Sequence, residues 1–244
     1  MQRRKRVAVA AAGFVGALAI VLPSIVNASS SNDASYEPHL KASDFTTKID
    51  NRYFPLPVGW TWIYKGVKEG KPQIDRVTVT SMTKRVAEGI TTRAISDVAK
   101  TPHGQLLEKT TDWYAQDKRG NVWYFGENTA AYLPGGKIDR SGSWEAGVKD
   151  GEPGIIMLAN PHIPNAYRQE YQKGNAEDTA WIVNRGTSFT VPYRTIHNAL
   201  TSLEFARIEP KVVDEKIYAP GIGIAFEKAL TGPPEVAKLV KVIK

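Results

Sequence analysis

The chain contains no cysteine. That absence excludes a disulfide framework, thiolate chemistry, a cysteine-ligated metal and a lipid carried on a thiol. Histidine is sparse: His39, His103, His162 and His197 stand apart, with no H-E-x-x-H or H-x-H spacing, so no metal site is expected. No G-x-S-x-G is present. The nearest stretch, Arg140-Ser141-Gly142-Ser143-Trp144, lacks the strand-to-helix elbow that a serine nucleophile needs. No convincing helical pattern appears in the body of the chain, which removes the α/β scaffolds, and no cofactor motif is found. Nor is there a basic run beyond the first residues. The formal net charge of +7 includes Arg3, Arg4, Lys5 and Arg6, so the chain after Ala28 carries +3, with its cations scattered among acids. Nucleic acid is therefore not an expected partner.

What is present begins with an export signal. M-Q-R-R-K-R opens the chain, an apolar run follows from residue 7 to 26, and Val26-Asn27-Ala28 supplies small residues at the positions a signal peptidase reads. Residues 1–28 are expected to be a cleaved signal peptide, which places the protein in the periplasm, the cell envelope or the medium. The run is about long enough to span a bilayer, so an uncleaved anchor is the alternative and the only membrane contact expected. Residues 29–43 are polar and are read as a flexible leader. Residues 44–244 are read as one antiparallel β domain, a monomer, with 42% hydrophobic content ample for a core.

The centre of that domain is D-W-Y-A-Q-D-K-R-G-N-V-W-Y-F-G-E, residues 112–127. Two aromatic segments flank Asp117-Lys118-Arg119-Gly120-Asn121, whose glycine and short polar residues suit a turn. The segment lacks the alternating acids of a calcium loop. Alternation puts aromatics on both faces of this hairpin, as in a strand pair covered twice or lining a cleft. Around it, Trp60, Trp62 and Tyr64 share one face, residues 76–80 and 90–99 alternate, and Pro-Gly punctuation marks further turns to Leu239–Ile243. The fold class is thus all-β with minor α: a large curled antiparallel meander sheet, half-open and barrel-like. Residues 144–165 break the rhythm with three prolines around Ile155, Ile156, Met157 and Leu158. They are read as an irregular lid that cannot pair as a strand.

These pieces carry a resemblance. Phe54-Pro55-Leu56 with Gly59, Trp62 and Tyr64, the central hairpin, Gly142 to Gly147, Pro153 to Met157 and Tyr218 to Gly223 resemble the motifs of a family of uncharacterised secreted bacterial β-rich proteins. The architecture is also similar to the half-open barrels of periplasmic lipoprotein and lipid carriers. Lipocalins fit less well, because Gly59 is followed by Trp60 and Thr61 rather than by tryptophan at the second position.

Three functions are left open. The first is an exported, non-enzymatic binding protein with an aromatic-lined apolar concavity for a lipid-like or other hydrophobic ligand. Its expected lining is Trp60, Trp62, Trp113, Trp123, Phe125 and Trp144, with Ile156 and Met157 on the lid. The second is a hydrolase of envelope polymers or glycans using carboxylates near residues 144–165. No catalytic residue is assigned, and Glu127 and Glu145 are the first acids to test. The third is a structural or interaction module of the cell surface. The pairs Glu108 with Asp112 and Glu177 with Asp178 are read as solvated surface acids, and Arg168 and Glu170 as a cross-strand pair.

Overall fold

The computed structural model describes residues 36–244, so the expected signal peptide and the first part of the leader lie outside the described residues. The chain opens with β1 (Phe45–Thr46), β2 (Thr61–Lys68), β3 (Lys71–Arg85) and β4 (Thr91–Lys100). The central hairpin is β5 (Leu106–Asp117) and β6 (Val122–Leu133). Short strands β7 (Lys137–Asp139), β8 (Trp144–Glu145), β9 (Glu152–Met157), β10 (Ala166–Arg168) and β11 (Glu170–Tyr171) follow. The last five are β12 (Asp178–Val191), β13 (Arg194–Ala206), β14 (Val213–Ala219), β15 (Gly223–Thr231) and β16 (Glu235–Ile243). The described helical turns, at Ala42–Asp44, Ala87–Gly89 and Pro134–Gly136, are each a single 3₁₀ turn.

The expected curled antiparallel sheet of barrel-like form is the one observed, nearly closed with one seam. Its order runs β10-β12-β13-β14-β15-β16-β2-β3-β4-β5-β6-β9-β11. The two ends of that path, β10 and β11, are consecutive in the chain with Gln169 between them. One short segment therefore pairs first with β12 and then, past Gln169, with β9 across the seam. The approach there is close: a Cβ at Gly154 would collide with the backbone of Gln169 and Glu170, so only glycine fits under the crossing.

The central hairpin turns as its sequence requires. Gly120 has φ +90°, and the buried Asp117 carboxylate accepts from the Arg119 and Asn121 amides, from Asn121 Nδ2 and from Trp123 Nε1. Both faces of the hairpin are covered. Tyr114 and Tyr124 stack at 4.8 Å on the inner face, while Phe45 packs edge-on against Trp123 and Phe125 on the outer.

Several expectations are corrected here. Residues 152–157 are not a lid: they form β9 and pair with β6, and Ile156 and Met157 are core residues. Pro153 and Gly154 are tolerated because β9 meets β11 over only two residue pairs, so few ladder bonds are forgone. Asp178–Val191 is one long, bulged strand, and Arg194–Ala206 pairs along its length. The part of the leader that is described is docked, since Tyr36 donates to the Pro153 carbonyl and Leu40 packs on the core. Average polarity concealed those two anchors.

Candidate functional site

The sheet's inner face carries an unusual load of carboxylates. Cross-strand register aligns Glu127, Asp112, Ile95 and Val79 in one inward row. A second row runs Gly66, Ala237, Glu227, Lys216, Ser202 and Ile182. The expected solvated acid Asp112 is thus a correction, as is Glu170, which points inward at 2% exposure. Its expected partner Arg168 instead lies over the Tyr36 and Tyr171 rings. Glu177 is also buried, its carboxylate held by Arg207 at 3.0 Å. Alternation in an antiparallel strand usually places acids in water. Here the barrel wall turns them inward.

Two lysines answer part of this charge. Lys216 Nζ lies 2.7 Å from Glu204 and 3.8 Å from Glu227, and all three residues are buried. Ser202 and the Tyr218 hydroxyl also donate to Glu204, each at 2.9 Å. Lys68 lies 3.9 Å from Glu108. The remaining acids have little to meet. Both Glu127 oxygens, Glu170 Oε2 and both Glu227 oxygens are without a hydrogen-bond donor. Burial, followed by the neighbouring Asp112 carboxylate, holds Glu127 well above the usual carboxylate range. Burial likewise raises Glu170, Glu227 and Asp112 far up, and moves Asp97 to about 7 and Asp75 to about 9.

The interior is packed with buried side chains over most of its length. Its cavity measures about 60 Å³ and is lined by Trp62, Tyr64, Ile95, Tyr114 and Ile222 with Asp97, Asp112 and Glu227. The cover is supplied by Phe54, Pro55 and Leu56, which line the same cavity, and not by residues 144–165. Asn51 holds that cover in place. Its Oδ1 accepts from the Tyr53 and Phe54 amides, and its Nδ2 donates to the carbonyls of Gly120 and Leu158. Small-molecule sites usually span about 300–1,000 Å³. A space of this size leaves little room for an acyl chain.

A larger recess of about 660 Å³ lies outside the barrel wall. It is bordered by Trp113 and Lys84, by Glu127 and Asn128 of β6, by Arg140, Ser141, Ser143, Trp144 and Glu145, by Val148 and Lys149, and by Gln172 and Asn175. Lys84 Nζ sits 3.5 Å above the Trp113 ring and 2.7 Å from Glu145. Asn175 donates to Gln172 Oε1, and Gln172 Nε2 to the Val148 and Lys149 carbonyls, which ties the rim together. Arg140 and Lys149 are exposed beside it.

The structure therefore brings Trp113 and Glu145 to one groove, with the buried Glu127 and Trp144 behind its wall, and disperses the other expected residues. Trp62 lines the interior cavity. Trp123 and Phe125 lie beneath Phe45, and Trp60 stacks under Lys244 at 4.4 Å. Ile156 and Met157 are interior. The two test acids do not face each other. Glu127 pairs with Trp144 and Gly126 with Glu145, so Glu127 and Glu145 leave opposite faces of the sheet. Arg140, Lys149 and the Gln172/Asn175 pair were missed because a groove rim made from separate loops has no signature in sequence spacing.

No family model matches the chain, and no curated protein matches it. Two solved structures are similar at low identity. One, from Bacteroides fragilis, is named as exported with a YmcC-like fold and is 16% identical, with a TM-score of 0.47 over 80% of this chain and all of its own. The other, from Parabacteroides distasonis, is named as a lipoprotein and is 14% identical, with a TM-score of 0.44 over 79% of this chain and 99% of its own.

Proposed function

We propose that this is a non-enzymatic binding protein whose site is the outer groove, and that its ligand is polyhydroxylated and acidic, such as a uronate-containing saccharide. The observation that carries the reading is the composition of the 660 Å³ recess. Amides from Asn128, Gln172 and Asn175 and hydroxyls from Ser141 and Ser143 supply donors and acceptors, while Arg140 and Lys149 supply exposed positive charge. Lys84 is already matched by Glu145, and Glu127 is buried with its carboxyl raised well above the usual range, so the groove's exposed charge is cationic. A carboxylate with flanking hydroxyls suits such a surface, whereas a hydrocarbon makes no use of its charges.

Hydrolysis is not favoured, because general acid–base cleavage of a glycoside needs two carboxyl groups flanking one bond. Here the two candidates leave opposite faces of the sheet. Calorimetric titration with oligogalacturonides tests the proposal. Saturable binding is expected, with no cleavage products, and Arg140→Ala is expected to weaken it about tenfold by removing one charge-assisted contact. Saturable binding of a fatty acid or apolar dye, with no response to the saccharide, would overturn it.

A further inference from the structure

Among the described residues only Trp181 and Phe205 carry an exposed aromatic ring, at 44% and 42%, and the two stand together. Trp181 faces Leu203 across β12 and β13, and Thr179 faces Phe205, so the two rings are diagonal neighbours. The alternate residues Ala180 and Glu204 are buried, which puts both rings on the outer face of the wall. The same two rows extend into β10, where Ala166 lies beside Trp181 and Arg168 beside Thr179. Phe205 and Val213 border an outer recess with Arg168 and Arg207.

Cations frame this apolar patch. Arg168 lies over the Tyr36 and Tyr171 rings at 5.2 and 4.6 Å. Arg207 and Lys211 are exposed at the other end of the recess, and Lys228 is exposed at the end of the row that runs Trp181, Leu203, Glu215, Lys228. Of the acids nearby, Glu177 is held by Arg207 at 3.0 Å, and Glu204 and Asp214 are buried. Glu209 and Glu215 are half-buried.

We propose that this face docks on a bilayer surface that carries anionic headgroups. Rings bordered by guanidinium and ammonium groups suit a membrane–water interface, where the rings sink to headgroup level and the cations meet phosphate. A stable protein interface buries about 800 Å² on each partner. Two rings and a leucine fall short of that apolar core but are enough to anchor a surface in an interface. The place where the leader reaches the domain agrees. Tyr36 rests against Arg168 at the edge of this face, and only nine residues, Asn27 to Ser35, separate it from the apolar run that ends at Val26. Such a segment reaches about 30 Å at full extension. Wherever that run lies in a bilayer, this face is held close to it.

The test floats the protein, as its host exports it, with vesicles of phosphatidylcholine and phosphatidylglycerol in equal parts, or of phosphatidylcholine alone. Stronger binding to the anionic vesicles is expected, weakening as salt is added. Brominated phosphatidylcholine in the vesicles is expected to quench tryptophan emission, and Trp181→Phe is expected to abolish that quenching. For protein that has lost the apolar run, Trp181→Ser combined with Phe205→Ser is expected to weaken binding about tenfold. Both positions are exposed, so the fold is expected to survive, and circular dichroism checks it. Where the run is retained and holds the protein to both vesicles, the quenching result decides. The inference is overturned if the protein floats with neither vesicle, if bound protein is not quenched, or if Trp181→Phe is quenched as the parent is. It is also overturned if the cleaved protein does not distinguish the two vesicles, or if its double variant binds as the parent does. A dimer in sedimentation that the double variant dissolves would assign the face to a second copy instead.

Discussion

Lys216 shows how the interior tolerates its charge. The ammonium is 3% exposed and lies between Glu204 and Glu227, while Ser202 and Tyr218 supply further donors to Glu204. Removing one member of a buried ion pair leaves the other without compensation, at a cost of about 3–5 kcal/mol. Lys216→Met is accordingly expected to lose that much stability in urea denaturation. Adding Glu204→Gln should restore part of it, because the orphaned charge is removed. Such residues are hard to read from sequence. Glu204, Lys216 and Glu227 each alternate with apolar neighbours, and nothing in the one-dimensional pattern says which set of alternating positions faces inward. Aromatic residues were more legible: Trp113 to Phe125 announced a hairpin covered on both sides, and it is so covered. Which of them would be available to a ligand was not legible, because Lys84 and Phe45, distant in sequence, decide it. Trp181, left out of the expected lining, is 44% exposed.

At the scale of elements, strands and turns were readable wherever Pro and Gly punctuated alternating segments, as at 118–121 and 134–136. Reading failed where proline and glycine fell inside a strand. The lid expected over residues 144–165 is such a case: within it, β9 uses Gly154 to let the seam segment pass directly over its backbone. Gly154→Ala is expected to cost about 1–3 kcal/mol through overpacking. Hydrogen exchange should locate the damage at residues 152–157 and 166–171, with the β2–β5 ladder unaffected. Uniform loss of protection would show instead that the seam is not a separable contact. By the same logic, polar replacements of Ile156 or Met157 should lower stability before they touch any binding at the groove, since both side chains are fully interior.

For the whole molecule, the raised carboxyl groups set the response to pH. Asp214 is moved to about 6, Asp178 to about 7, Glu235 to about 8 and Asp75 to about 9, in each case first by burial. An acid whose folded value lies above its unfolded value binds more protons when folded. Its contribution is complete below about pH 4 and is lost as pH rises through the folded values. The acids shifted the other way, Asp44, Asp50, Asp139 and Glu177, act only below the ordinary carboxylate range and do not compete in this window. Stability should therefore fall from pH 5 to pH 8, by about 1.4 kcal/mol per pH unit for each extra proton held by the folded state. Thermal melts across that range check the sign, and a melting temperature that rises with pH would refute it.

The position of β16 has a consequence in time. Glu235–Ile243 lies between β15 and β2, so it joins the later half of the sheet to the earlier half. Without it, strand pairing would link the two halves only at the seam, where β10 meets β12 and β11 meets β9. Pairing of β16 with both β15 and β2 completes the wall. Because its pairing with β2 joins residues far apart in the chain, β16 is expected to close the wall late in folding, as a latch.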